Sequence, residues 1–394
     1  MKMECDSTTE TKEGFYLPEE LTREILVKLP IKSVLRFKGV CKSWRDLIEG
    51  VDFVKSYTPK PCLVFYCSDT YAVCDVEAFE PLFEFRMFAR NRYGNTVHYC
   101  IVADSINGLL LVKEIAYNNM LFVCNPITRE CVRLPPLPTY CCIVGFGVSK
   151  LSGKYKILYG DKFGSCHVCT LGEASWRSIS KASPGRPLLD RNIASFSNGN
   201  LHWLASDSQK KNFICCFDLE TELFTSFSLP PRVYGSNKLR EYRLCILEGR
   251  LCLCDTFDRY NIVIWLMSNY GDENSWVKKF VFCQRVNKPS WLHNIDSLQL
   301  VRPIKVLANG DLLFRNNRLY TYSKESETLA SWGDRLAVST HDYCNIVIYT
   351  PSFLSLKAMG IHNVRSLEIL SPFYSSFLQE ERYDFHKRKR YSII

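Results

Sequence analysis

The sequence contains no long apolar stretch and little glycine or proline, which limits the classes of protein it can encode. Apolar runs such as residues 108–112 have the length of a strand, far short of the ~18 residues of a membrane-spanning helix. With 19 glycines and 17 prolines among 394 residues, collagen-like and low-complexity chains are excluded. The first fourteen residues are polar and acidic, unlike a secretory signal. We therefore expect a soluble intracellular protein, cytoplasmic or nuclear or both, with a disordered segment over residues 1–14.

Common catalytic and metal-binding motifs are also missing. There is no Gly-x-Ser-x-Gly, no phosphate-binding Gly-x-x-x-x-Gly-Lys and no His-Glu-x-x-His. Cys166 and Cys169 have metal-ligand spacing, but no second Cys/His pair follows, and a strand would place them on opposite faces. A nucleic-acid surface would need a basic stripe with interleaved aromatic residues, which is not seen. The sequence predicts no catalytic residue, metal or cofactor, and no nucleic-acid partner.

Cysteine is abundant, yet its pattern argues against a disulfide scaffold. The 19 cysteines are odd in number and widely scattered, whereas small secreted disulfide proteins are short and cysteine-dense. Cys252 and Cys254 alternate with leucines, and Cys215 and Cys216 lie inside an apolar run. We expect reduced thiols that are buried on strands as small apolar side chains.

The formal net charge of +9 is unevenly distributed along the chain. Residues 1–60 carry 11 Lys/Arg and 10 Asp/Glu, so the excess lies in the remainder, with one dense basic run at residues 386–390. A diffuse positive surface modestly favours acidic partners. The basic tail, residues 379–394, is a nuclear-import signal, a nucleic-acid contact or simply a solvated end.

Residues 15–57 predict three or four short helices. Leu21, Ile25 and Leu29 recur at four-residue spacing after Pro18, and Pro30 ends this segment. A second helix is expected over residues 31–37, a third carries Trp44, and Asp52 is a candidate cap for a fourth. So small a bundle has little interior of its own. Its apolar faces therefore either dock another protein or cap the domain that follows.

This segment resembles the F-box. The similarity lies in Leu-Pro-x-x-Leu-x-x-x-Ile-Leu-x-x-Leu-Pro from residue 17, followed by Ser-x-Leu and Val-Cys-x-x-Trp. The resemblance implies docking to the Skp-type adaptor of a cullin–RING ubiquitin ligase. The residues that it implies for this contact are Leu17, Pro18, Leu21, Ile25, Leu29, Pro30, Leu35, Val40, Cys41 and Trp44.

The remainder of the chain contains a sequence pattern that recurs about every 45–60 residues. A small-residue turn before an apolar strand recurs at glycines 108, 153, 199, 249 and 310, separated by 45, 46, 50 and 61 residues. About four short strands per repeat are typical of a β-propeller blade. A β-sandwich also has many short strands, but its architecture does not require a constant repeat length. Three strands at 62–88 lack a fourth, which strands at about 336–340 and 345–357 can supply. The predicted fold is mainly β: an N-terminal three- to four-helix module, then a propeller of about six blades, with seven as the alternative.

The repeats resemble the plant F-box-associated domain over residues 62–360. The similarity is carried by Asn125-Pro-Ile-Thr-Arg129 with Leu134-Pro-Pro136, and by two related segments, 216–231 and 264–276. Within that group the S-locus F-box-like subgroup is the most similar. These motif residues mark the turns between the strands of a blade, and we assign them structural roles.

Two functions from different classes are compatible with the sequence. In the first, the chain is the non-catalytic substrate-recognition subunit of an SCF-type (Skp–cullin–F-box) ligase. The F-box then binds the Skp-type adaptor, with cullin and RING subunits beyond it, and the propeller holds an unidentified protein target for ubiquitination and degradation. In the second, it is an F-box protein acting outside the ligase as a scaffold, or a propeller enzyme, since a propeller channel can host a catalytic site.

Overall fold

The computed structural model describes fourteen stretches of the chain. They are residues 17–67, 70–77, 80–86, 100–114, 120–137, 143–161, 165–179, 183–187, 192–231, 242–258, 261–283, 301–316, 318–331 and 346–370. The chain divides into two compact units between Lys60 and Pro61. The described α-helices lie in the first unit, and the strands lie in the second together with a short 3-10 helix, Glu273–Ser275. The segments predicted as a disordered N-terminus, a strand at 336–340 and a basic tail fall outside the described residues.

The described part of the first unit contains four short helices: α1 (Glu19–Leu26), α2 (Ile31–Phe37), α3 (Lys42–Glu49) and α4 (Val51–Ser56). The second helix has the predicted bounds. The prediction that Asp52 caps the fourth was wrong: Gly50 is the N-cap residue, and Asp52 lies inside the first turn. The helix begins at Val51, directly after Gly50, whose extended backbone lies outside the helix. Pro18 is the residue before α1, which begins at Glu19.

The second unit is a β-propeller of six blades, as predicted. Each of blades 2 to 6 contains four consecutive strands, to which blades 2, 3 and 4 each add one short strand, and blade 1 is assembled from both ends of the unit. Blade 1 contains β1 (Cys62–Cys67), β2 (Thr70–Asp75), β3 (Pro81–Arg86), β26 (Ile346–Tyr349) and β28 (Glu368–Leu370). Blade 2 contains β4 (Cys100–Ile106), β5 (Leu109–Glu114), β6 (Leu121–Asn125), β7 (Glu130–Arg133) and β27 (Arg365–Ser366).

The remaining four blades follow in sequence. Blade 3 contains β8 (Ile143–Val148), β9 (Tyr155–Gly160), β10 (Cys166–Thr170), β11 (Arg177–Ser178) and β13 (Asn192–Ile193). Blade 4 contains β12 (Arg186–Pro187), β14 (Ser195–Ser197), β15 (Asn200–Ser206), β16 (Asn212–Asp218) and β17 (Phe224–Phe227). Blade 5 contains β18 (Tyr242–Leu247), β19 (Arg250–Asp258), β20 (Asn261–Met267) and β21 (Trp276–Cys283). Blade 6 contains β22 (Arg302–Val306), β23 (Leu312–Asn316), β24 (Arg318–Ser323) and β25 (Thr328–Ser331).

The hydrophobic core is divided into layers between neighbouring blades. One layer joins blades 2 and 3 and includes Leu111 and Phe146, and another joins blades 5 and 6 through Leu247 and Phe314. A further layer joins blade 6 to blade 1. Eleven of the twelve cysteines whose side chains are described are buried, which confirms their predicted role as small apolar residues. Each blade is therefore stabilised chiefly by the blades beside it.

The recurring glycine turns have the conformation that tight hairpins require. Asn107 and Gly108, between β4 and β5, both have positive φ, 48° and 82°. Two successive positive φ values define the type I′ turn, whose twist matches that of paired strands. A side chain at position 108 would also place its Cβ 2.3 Å from the Cβ of Ser352. Glycine is therefore required here by both the turn and the packing.

The ring is closed by pairing the last part of the unit with the first. β26 runs antiparallel to β1, with Cys62 opposite Tyr349 and Phe65 opposite Ile346. This confirms the prediction that a late strand completes the three strands of blade 1. Only residues 346–349 of the predicted 345–357 form a strand.

A buried clamp on blade 2 holds the segment that follows β26. The Asn125 side-chain nitrogen donates hydrogen bonds to the carbonyl oxygens of Ser352 and Leu354, at 2.9 and 2.7 Å. The carboxylate of Glu130 accepts from the Ser355 hydroxyl, at 2.9 Å, and from the Leu356 amide. The Asn-Pro-Ile-Thr-Arg motif therefore has the structural role predicted for it, because Asn125 begins the turn and Glu130 follows it directly.

Two short strands beyond residue 360 were not predicted. β27 pairs with β7, and β28 pairs with β3, so each adds an outer strand to a blade. The Leu367 amide between them donates to the Arg129 carbonyl oxygen at 2.8 Å. The described propeller strands consequently continue to Leu370.

We expect Asn125→Ala to lower the free energy of unfolding of the propeller by about 1–3 kcal/mol, because it leaves two partly buried carbonyl groups of the 352–354 segment without this donor. Urea unfolding followed by tryptophan fluorescence measures this change. Asn274→Ala, at an exposed turn position, is the matched control and should change stability by less than ~0.5 kcal/mol. Equal effects of the two substitutions would contradict the clamp.

Candidate protein-docking surface

The first helix of the bundle is fixed at both ends by local interactions. Pro18 precedes it with φ −52° and ψ 146°, and the Pro18 carbonyl oxygen accepts from the Thr22 hydroxyl at 3.0 Å. Glu19, in the first turn where the helix dipole favours negative charge, pairs with Arg23 at 2.9 Å. The chain then turns at Val27 and enters α2 after Pro30.

The interior of the bundle is built around α3, which contacts the other three helices. Leu26, Val34, Ile48 and Phe53 are buried, with exposed fractions of 1% or less. Tyr57 closes this core: its ring stacks on Phe53 at 5.3 Å, and its hydroxyl donates to the Leu29 carbonyl oxygen at 3.0 Å. These residues hold the module together.

A second apolar set of the same module faces solvent. Leu17, Leu21 and Ile25 follow each other at four-residue spacing, and their exposed fractions are 58%, 48% and 49%. Val40, in the turn before α3, is 62% exposed. Single exposed apolar residues are ordinary, whereas several in so small a module indicate a binding surface. We name Leu17, Leu21, Ile25 and Val40 the apolar face.

The residues predicted for adaptor contact are separated from the core. None of the ten is buried, and Trp44 is partly covered by Phe37, whose ring meets it edge-on at 5.2 Å. The stripe on α1 divides, because Leu26 points inward while Leu21 and Ile25 point outward. Seven are exposed (Leu17, Pro18, Leu21, Ile25, Pro30, Val40 and Cys41) and three are partly buried (Leu29, Leu35 and Trp44).

Polar contacts around α3 complete this part of the module. Lys38 pairs with Glu49 at 2.7 Å, which ties the end of α2 to the end of α3. The Cys41 sulfur lies 3.3 Å from the Ser43 hydroxyl, and this hydrogen bond lowers the pKa of the exposed Cys41 thiol. Val51, at the start of α4, is 66% exposed. Sequence reasoning missed Val51 because it lies outside the motif spacing.

The described residues were also searched for other kinds of site. They hold no group of three or more His, Cys, Asp or Glu side chains arranged to bind a metal ion. Cys166 and Cys169 are both buried, and burial raises the pKa of these thiols to about 12 and about 11. Over the same stretches of chain, no helix is long and apolar enough to cross a membrane.

The fold defines a two-domain protein, a four-helix module joined in one chain to a six-bladed propeller. Residues 15–56 match the F-box domain, and residues 80–323, more than half of the chain, match the F-box associated beta propeller domain. The chain belongs to the F-box proteins that carry this propeller domain.

Several relatives of the chain are F-box proteins of Arabidopsis thaliana. The chain is 27% identical to F-box protein At3g07870 over 347 residues, covering 75% of this chain and 82% of the relative. It is 32% identical to putative F-box protein At3g16210 over 225 residues, 55% of this chain and 61% of the relative. It is 25% identical to F-box protein CPR1 over 364 residues, 80% and 84% of the two chains. The two domains support a substrate-adaptor role in an SCF-type ligase in general.

The division between core and apolar face can be tested on one helix. We expect Leu26→Ala to lower the free energy of unfolding of the helical module by about 2–5 kcal/mol, as is usual for a buried leucine. Leu21→Ala, 48% exposed, should change it by less than ~0.5 kcal/mol. Far-ultraviolet circular dichroism during urea unfolding measures both. A similar loss in both variants would show that Leu21 belongs to the core.

Proposed function

We propose that this chain is the substrate-recognition subunit of an SCF-type ubiquitin ligase and that its F-box binds a Skp-type adaptor through the apolar face. The observation that carries the proposal is the exposure of Leu17, Leu21 and Ile25 within the residues that match the F-box. Burying such side chains against a partner is favourable by ~25 cal/mol per Å² of apolar area. Cullin and RING subunits would join through the adaptor.

The contact is proposed to be centred on α1 and the turn before α3. Hot spots at interfaces are typically large side chains surrounded by contacts of little energetic weight. Leu21 and Ile25 suit this role because they extend from a helix anchored by the buried Leu26. Trp44, partly packed on Phe37, would contribute its remaining edge. Leu29, Leu35 and Pro30 would frame the contact.

The propeller is proposed to hold the protein target, which the ligase then modifies and sends to degradation. The chain itself supplies no covalent chemistry in this scheme. Residues 61–394 carry most of the net positive charge of +9, which favours an acidic target surface. A cytoplasmic or nuclear location follows from this role, and the S-locus likeness remains a prediction.

Adaptor capture tests the first half of the proposal. In the double variant Leu21→Ala/Ile25→Ala, we expect affinity for a purified Skp-type adaptor to fall at least about 25-fold, since losing a hot spot costs ~2 kcal/mol or more and ~1.4 kcal/mol is tenfold. Isothermal titration calorimetry measures it. The matched control, Val277→Ala/Val281→Ala, removes two valines from β21 that are 46% and 52% exposed.

The control variant should bind the adaptor like the wild type, and circular dichroism should show helices retained in both. A second variant, Leu17→Ala/Pro18→Ala, changes residues that precede α1 and should weaken binding without affecting the propeller's thermal transition. Wild-type affinity in both F-box variants would contradict the docking proposal. Adaptor binding without recruitment of cullin would instead favour a scaffold that acts outside the ligase.

Target capture tests the second half. With the proteasome inhibited, full-length protein and a fragment lacking residues 1–57 are each used to capture partners for mass spectrometry. We expect the fragment to lose the adaptor and to keep the target, because the two units divide at Lys60. Partners shared with the full chain, and stabilised when the ligase is blocked, identify the target. Loss of every partner together with the F-box would contradict target binding by the propeller.

A further inference from the structure

The inner strands of the six blades enclose an axial channel. β26, β4, β8, β14, β18 and β22 are the inner strands, and successive members of this series are neighbours. The ring is completed by the core layer between blades 6 and 1, which includes Leu63 and Ile304. Side chains on these strands that do not enter the layers between blades face the channel or border it.

Four charged residues lie on the described inner strands, and one of them forms a salt bridge. Lys305 on β22 pairs with Glu77 of blade 1 at 2.6 Å. Asp104 on β4, Arg243 on β18 and Arg302 on β22 form no salt bridge within the described chain, and all three are only partly accessible. The Nε atom of Arg243 is buried without a hydrogen-bond partner. Among the described residues, neither guanidinium group is paired with a carboxylate.

Two of these residues are located at β-bulges. The pairing of β4 with β5 shifts between Val102 and Asp104, and that of β22 with β23 shifts between Pro303 and Lys305. A bulge adds one unpaired residue and redirects the neighbouring side chains. The bulge in β4 therefore lies directly before Asp104, and the bulge in β22 lies directly before Lys305.

Electrostatic effects show that the three charged groups influence one another. Burial raises the pKa of Asp104 to about 7, against the hydrogen bond from the Ser105 amide and the charge of Arg302. Burial lowers the pKa of Arg243, and the charge of Arg302 lowers it further. Blade 1 separates blades 2 and 6 in the ring, so the interaction between Asp104 and Arg302 acts across the channel.

The same two arginines also affect the thiol of Cys245. A hydrogen bond from Cys252 lowers the pKa of Cys245, and Arg302 and Arg243 act in the same direction against its burial. Asp104 is the one acidic side chain on the described inner strands, which carry three basic side chains, Arg243, Arg302 and Lys305. Uncompensated charge is unfavourable in a partly dry site. The channel therefore has a net positive charge that calls for an anion.

We propose that Arg243 and Arg302 form an oxyanion-binding site in the axial channel, with Asp104 on the opposite side, that takes a phosphate or carboxylate group. The guanidinium fork presents several N–H donors in a plane that match such groups. Arg243 is the second residue of β18 and Arg302 the first of β22, so both lie at the starts of two neighbouring inner strands. The site is independent of adaptor docking.

Inorganic phosphate is the probe, used with the full-length protein at pH 8 and constant ionic strength. We expect phosphate to raise the melting temperature of the wild type in a saturable way, because a ligand that binds only the folded state stabilises it. Arg243→Gln and Arg302→Gln should each weaken phosphate binding at least ~10-fold, the usual effect of losing a charged hydrogen bond. Arg250→Gln, on the exposed start of β19, is the matched control and should behave like the wild type.

The same variants without phosphate separate ligand binding from a purely structural role. Replacing an unpartnered buried charge with a neutral amide should leave the melting temperature unchanged or raise it. A lower melting temperature in Arg243→Gln and Arg302→Gln without phosphate would show that the arginines stabilise the fold by themselves, and would overturn the proposal. Equal phosphate responses in all variants would indicate a general effect of a kosmotropic salt and would also overturn it.

Titration calorimetry gives a readout that does not depend on unfolding. Asp104→Asn should bind phosphate several-fold more tightly at pH 8, since it removes a carboxylate that repels the ligand. Acetate is titrated in a second series. Competition by acetate would identify a site that also accepts protein carboxylates, such as those of a bound acidic segment, whereas selectivity for phosphate would identify a phosphorylated ligand. No heat of binding from either anion would overturn the proposal.

Discussion

The antiparallel pairing of β26 with β1 is the interaction on which the propeller depends. Because the core layer between blades 6 and 1 contains residues of both blades, an incomplete blade 1 would expose the apolar side chains that blade 6 contributes to it, such as Leu313. The clamp formed by Asn125 and Glu130 holds the chain directly after β26. The closing strand is thus fixed from two sides, by its own sheet and by the next blade.

Polar contacts between neighbouring blades also occur elsewhere in the ring. In blade 4, the turn between β16 and β17 carries Glu222, which pairs with Lys156 and Arg177 of blade 3 at 2.9 and 2.7 Å. The hydrogen bond from Arg177 lowers the pKa of Glu222 to about 2, and the one from Lys156 adds to it. Polar turn residues thus supplement the apolar layers, which explains why the family's motif residues cluster at turns.

Sequence periodicity predicted the elements better than the direction of each side chain. The bounds of α2 and the six blades followed from apolar spacing and recurring glycines. The stripe on α1 did not reveal that Leu26 is buried while Leu21 and Ile25 are exposed, since α3 packs against only one edge of the stripe. β27 and β28 have two and three residues, too few to show any period.

The channel charges were beyond the reach of sequence for a different reason. Asp104 and Arg302 are about two hundred residues apart, and neither belongs to a known motif. Closure of the ring places blades 2 and 6 on either side of blade 1, and a register shift lies directly before Asp104. Where a bulge interrupts a strand, the alternation of side chains along the sequence predicts the wrong face of the sheet for the residues beyond it. Such sites are assembled by topology, so only a three-dimensional arrangement reveals them.

Ring closure by distant segments also sets an order of events during synthesis on the ribosome. The helical module is continuous in sequence and can form as soon as residue 60 has emerged. β1 must instead wait for β26, some 280 residues later, which at ~5–20 residues per second is a delay of about 14–56 s. Through that interval the inner edge of blade 1 is unpaired and resembles an aggregation-prone sheet edge. The nascent chain therefore needs protection, by chaperones or by rapid translation, at its N-terminal blade rather than at its helices.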